Sequence, residues 1–128
     1  MSVAIQGVAF LIWSADRDKL ECAATPFVMA QAAVALGQQV EMYFTAQAVQ
    51  LLTPAAGELH AGFGPQRRAL RDYLQQVHEL SIPLYACAQA LHALDLQREA
   101  LIPLCSGLGG SVQYMARVAD PAWRGLVF

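Results

Sequence analysis

Two kinds of apolar pattern alternate along this chain. Residues 7–13 (GVAFLIW) and 82–86 (IPLYA) are short continuous apolar runs, the mark of strands covered on both faces. Between them, residues 39–45 (QVEMYFT) are rich in β-formers and read as another strand. The stretches separating these runs have helical spacing. Asp18 stands three residues before Glu21, a capping-box-like start for a long helix to about Leu36. Pro26 either kinks that helix or marks its true first turn, and Gly37 supplies the stop. From Gln66 to about Leu80, the residues Leu70, Tyr73, Leu74, Val77 and Leu80 share one helical face.

Shorter signals fill the gaps. Residues 47–52 read as a short helix, and 53–65, with Pro54, Gly57, Gly62, Gly64 and Pro65, as the longest irregular stretch. Helical character resumes from Ala88 to Leu94, just after Cys87. In the last quarter, residues 97–101 suggest a helical turn ended by Pro103, and a weak strand is expected through Leu104 and Cys105. Gly107, Gly109 and Gly110 then form a loop, Ser111 caps a helix through Ala119, and residues 125–128 close as a final strand. Strands alternating with helices, with no linker or repeat, predict one α/β domain over residues 1–128. Its sheet is mostly parallel, of about five strands joined by right-handed crossovers.

Composition sharpens this picture. Apolar residues make up 56% of the chain and charged residues 14%, against roughly 25% charged in an average soluble domain. A domain of 128 residues keeps a large surface relative to its volume. The excess is therefore either an alanine-rich core or an apolar surface buried between subunits, and homo-oligomerisation is the favoured expectation. The net charge of −2 gives no electrostatic footprint for nucleic acid. Arg67, Arg68 and Arg71 fall on one predicted helix and read as a solvated face. No apolar run reaches the roughly 18 residues of a membrane span. The opening stretch from Met1 to Trp13 lacks the basic start of a secretory signal and reads as the first strand, so a cytoplasmic location is expected.

Candidate chemistry gathers at strand ends, because parallel sheets bind ligands outside the carboxyl ends of their strands. Ser14, Asp16 and Arg17 follow the first strand, Thr45 and Gln47 the second, and Cys87 the third. Cys87 also precedes a predicted helix, whose free amide groups and dipole favour the thiolate, while the flanking Ala86 and Ala88 lower the local polarity and oppose it. The bland alternative is a small buried hydrophobe, as free cysteines commonly are. Cys22 is expected to pack against the first helix. Cys105 would resolve an intermediate on Cys87 only if folding brings the two together. Three widely spaced cysteines with no CxxC point to free thiols, with neither a disulfide framework nor a metal site, and no cofactor is called for. His60, His78 and His92 share no spacing and read as surface or half-buried side chains. The GLGG run at 107–110 lacks the Walker A lysine and the dinucleotide fingerprint, and no nucleophile elbow is present, so a hydrolase is not supported.

The chain resembles the DsrE/DsrF-like family of small sulfur-handling proteins over nearly its whole length. The resemblance rests on LIWSADRD, on the helix ending in Ala-Leu-Gly, and on QVEMYFTAQAVQLL. It continues through IPLYACAQALHALDLQREALIP and GLGGSVQYMARVAD to a terminal strand ending in Phe128. It implies a sheet with helices on both faces and assembly into trimers or hexamers, sometimes dimers. In relay members it also implies a persulfide on a cysteine placed as Cys87 is, exchanged with donor and acceptor proteins. Arg17 would then either hold an anionic donor or a partner's carboxylate or stand as a solvated loop arginine, the favoured reading of the two. The CAQALHALDL segment departs from the continuations of the best-defined relay subgroups. A non-catalytic oligomeric module that binds a small ligand or partner, with Cys87 structural, is the reading from another class. A metal or redox site pairing Cys87 with Cys105 or a histidine is a third.

Overall fold

The computed structural model of the protein describes residues 4–128. Strand β1 (Gly7–Ile12) leads through turns into helix α1 (Ala24–Ala35), strand β2 (Gln39–Phe44) and a 3-10 helix, Ala46–Leu52. A single-turn helix α2 (Pro54–Gly57) and the strands β3 (His60–Ala61) and β4 (Arg68–Ala69) precede helix α3 (Leu70–Glu79). Strand β5 (Leu84–Ala86), helix α4 (Ala88–Ala93) and a 3-10 turn, Arg98–Ala100, come next. The chain ends in strand β6 (Gly107–Leu108), helix α5 (Ser111–Ala119) and strand β7 (Trp123–Val127).

Among the described residues, five strands form one sheet in the order β6-β5-β2-β1-β7, and every pairing in it is parallel. The fold is α/β, with the sheet covered unequally on its two faces. Because side chains alternate along a strand, Val8, Phe10 and Ile12 join Val40, Met42 and Phe44 on one face. That deep face is packed by Phe27 and Ala30 of α1, Leu70, Leu74 and Val77 of α3, Leu91 of α4 and the 3-10 helix 46–52. The opposite, shallow face carries Ala9, Tyr43 and Trp123, and α5 lies over it through Tyr114. Alanine fills much of the deep core, where Ala23, Ala30, Ala48, Ala56, Ala61 and Ala86 are fully buried.

Several boundaries differ from those read in the sequence. The opening strand begins at Gly7, and Met1 to Val3 of the predicted strand region lie outside the described residues. The first helix starts at Ala24, not at a capping box on Asp18 and Glu21. Asp18 instead donates its amide to its neighbour Asp16, and Pro26 falls in the first helical turn, where its missing N–H costs nothing. That later start leaves Cys22 exposed in a turn while Ala23 takes the inward position, so the expected packing role of Cys22 does not hold. Arg67 and Arg68 are not helical: Gly62 and Gly64, both at left-handed φ, turn the chain so that Arg68 pairs with Ala61. Helix α3 begins only at Leu70, and Leu80 lies beyond its end and is exposed. The weak strand expected at Leu104–Cys105 forms instead at Gly107–Leu108, where Ser106 and Gly109 donate to Leu84 and Ala86 carbonyls. Gly110, not Ser111, is the N-cap of α5.

Candidate functional site

The carboxyl ends of β2 and β5 and the amino end of α5 enclose a cleft with two lobes. A more open lobe of about 510 Å³ is bounded by Ala88, Leu108, Val112 and Ala116. A more enclosed one of about 290 Å³ is bounded by Leu11, Tyr43, Phe44, Tyr114 and Met115. Cys87, Gln89, Gly109, Gly110 and Ser111 line both. Cys87 is therefore the only thiol of the cleft, at the junction of its lobes. No side chain lining either lobe is charged among the described residues.

Local structure holds Cys87 in place. Its amide donates to the Phe44 carbonyl at 2.9 Å, extending the β5–β2 ladder by one residue. Its own carbonyl accepts from Leu91 at 3.1 Å, opening α4 with Cys87 as N-cap. The residue is fixed by strand and helix at once, and 9% of its surface stays exposed. The facing wall depends on glycine. A Cβ on Gly109 would stand 2.9 Å from the Tyr85 Cβ, so only glycine lets this loop lie so close to the sheet.

Of the residues expected to meet Cys87 at the strand ends, Thr45 does so, half-buried in the enclosed lobe. Ser14, Asp16 and Arg17 sit at the same edge but outside the cleft. The Ser14 amide is directed at the Phe128 carbonyl, the Asp16 carboxylate closes its own turn on the Asp18 amide, and Arg17 is exposed. Gln47 is exposed as well. Cys105 does not line the cleft: its Sγ–H points at the Leu84 and Gly107 carbonyls, each 3.5 Å away. Among the described residues no hydrogen bond joins it to Cys87, and the two share neither lobe. All three histidines are exposed, and no group of three or more His, Cys, Asp or Glu side chains converges among the described residues.

The shallow face beneath α5 holds a polar cluster that sequence reasoning missed. Arg117 of α5 grips Glu41 of β2 through two hydrogen bonds, Nε to Oε1 at 3.0 Å and Nη2 to Oε2 at 2.8 Å. The guanidinium also lies 3.9 Å from the centre of the Trp123 ring. Tyr43 donates its hydroxyl to the same carboxylate at 2.8 Å. Burial, and then that hydrogen bond, push the Tyr43 hydroxyl well above the usual phenol range. The Glu41 hydrogen bond raises Arg117 further above its ordinary value. A signal for each residue, though not for their pairing, was present: Glu41 is the one charge in β2, and Arg117 the one charge within α5.

A family model described as the DsrE/DsrF-like family matches residues 7–125. The chain belongs to that family. Two solved structures share its fold. One is MTH1491 from Methanobacterium thermoautotrophicum, a protein of unknown function, with a TM-score of 0.72 at 13% identity over 96% of this chain and 99% of that one. The other is the YchN protein of E. coli, with a TM-score of 0.72 at 13% identity over 97% of this chain and 100% of that one. No curated protein matches the sequence. Among the described residues, no helix is long and apolar enough to cross a membrane.

Proposed function

We propose that this protein is a sulfur carrier that holds sulfane sulfur as a persulfide on Cys87. The observation that supports this reading best is the placement of Cys87 as the single thiol shared by both lobes of the strand-end cleft. Among the described residues the cleft has no charged acid or base, which fits thiol exchange better than hydrolysis. Two exchanges make up the cycle. The Cys87 thiolate attacks the outer sulfur of a donor protein's persulfide; a new S–S bond forms on Cys87, the donor's S–S bond breaks, and the donor leaves as a thiolate. An acceptor thiolate then attacks the outer sulfur of the Cys87 persulfide and releases the Cys87 thiolate. No net oxidant or cofactor enters. Three free thiols fit a reducing compartment such as the cytoplasm.

A module in which Cys87 only packs is favoured by a different observation: Cys87 belongs to the deep apolar cluster. Intact mass separates the two readings. After incubation with a sulfane-sulfur donor, the wild type should gain about 32 Da, one sulfur atom, and Cys87→Ala should not. An unmodified wild type ends the carrier reading.

The assembly we propose is a homo-oligomer formed over the outer side of α5. Val112, at the rim of the open lobe, is 85% exposed there, and Met115 and Val118, at helical spacing from it, are exposed on the same side of α5. Contiguous apolar surface of this kind marks a contact surface in soluble proteins.

A further inference from the structure

We infer that Glu41 and Arg117, with Tyr43 between them and the cleft, are positioning residues that set the geometry around Cys87. The inference rests on the reading of that cleft as the working site. Neither charge lines the cleft, yet each is tied to its walls. Arg117 sits in the last turn of α5, whose first residue, Ser111, lines both lobes. The same helix lines the lobes from Ser111 to Ala116, the residue just before the grip, so a rigid helix passes a tilt at Arg117 along the whole wall. The second tie is shorter. The Tyr43 ring forms part of the enclosed lobe while its hydroxyl is held by Glu41. Tyr43 in turn packs edge-on against Tyr114 at 5.7 Å and lies 5.1 Å from Tyr85, the residue on which Gly109 rests.

The rest of the seat of α5 makes the grip necessary. A Cβ on Gly125 would meet the Tyr114 hydroxyl and Val118 Cγ2 at 2.8 Å, so the helix lies very close to β7 there. On its outer side none of the described residues covers it, and Val112 and Met115 stand exposed. Within one subunit the helix is held from one side alone and needs a directional anchor, because apolar contact does not fix rotation about its axis. A bidentate guanidinium–carboxylate pair supplies that direction.

The test uses the full chain and two readouts, thermal stability and the rate at which Cys87 is alkylated by iodoacetamide, followed by mass in a Cys22→Ser, Cys105→Ala background. Arg117→Lys keeps the charge but cannot make the fork, and Tyr43→Phe keeps the ring but loses the tie to Glu41. Both should remain folded and alkylate Cys87 about threefold or more faster than the background protein, through a loosened cleft. Sulfur loading from the same donor should shift alongside. If Arg117→Lys proves too unstable, Glu41→Leu with Arg117→Met removes the pair without leaving a buried charge alone and should show the same acceleration. A purely structural pair would lower the melting temperature and leave Cys87 alkylation in the folded protein unchanged, and that result overturns the inference. Altered alkylation with no sulfur loading in the wild type would leave the positioning role standing and remove the carrier reading instead.

Discussion

The two faces of this sheet are held by different physics. The deep face is closed by apolar packing against three helices and a 3-10 segment, with Phe44, Leu51, Leu74 and Leu84 fully buried. The shallow face has one helix, a row of tyrosines and a paired charge. Packing on the deep face is non-directional and tolerates no lost volume. On the shallow face little volume is enclosed, and orientation comes from hydrogen bonds and from glycines that let the helix approach. The cleft at Cys87 lies where the two meet, with Phe44 from the deep side and Tyr43 from the shallow one.

The largest effect should come from the deep face. Phe44→Ala removes a ring that packs near Phe27, at 6.4 Å between centroids, and should lower stability by about 3–5 kcal/mol in urea unfolding. A loss below about 1 kcal/mol would mean that this face can collapse around the gap, and the contrast between faces would fail. Gly125→Ala should cost less, about 1–3 kcal/mol, because the added methyl group meets α5 and must push it outward. Its melting curve should shift while Cys87 also becomes easier to alkylate; a wild-type curve would show that α5 is free to move already. The smallest effect on the fold belongs to the outer side of α5. Val112→Glu should change the stability of the isolated chain by under about 0.5 kcal/mol yet reduce the sedimentation coefficient of the assembled protein. An unchanged coefficient places the subunit contact elsewhere.

The deep face was readable from sequence, whereas on the shallow one the helix was readable and its anchor was not, for reasons visible in single residues. GVAFLI is apolar at every position and predicts a two-sided central strand, which β1 is. Leu70, Leu74 and Val77 predict the buried stripe of α3, and the IPLYAC run places Cys87 at a strand end. Periodicity reports such features because each is local. Glu41 and Arg117 are 76 residues apart, and no pattern within either element announces the other. The edge strand β6 escaped for another reason: two residues, one of them glycine, hold their place through backbone bonds alone. At the strand ends, sequence order said which residues share an edge. It did not say that Ser14, Asp16 and Arg17 would be drawn away from Cys87 by their own turns and by the Phe128 carbonyl.

The stacking of Arg117 on Trp123 has an optical consequence. The chain has two tryptophans, Trp123 almost wholly buried beside that guanidinium and Trp13 about half exposed to water. Replacing Trp13 with phenylalanine leaves one fluorophore, seated at the anchored end of α5 and remote from the thiol. Its emission then reports the seating of the helix continuously and without a label, in the same cuvette in which sulfur is loaded or subunits are diluted apart.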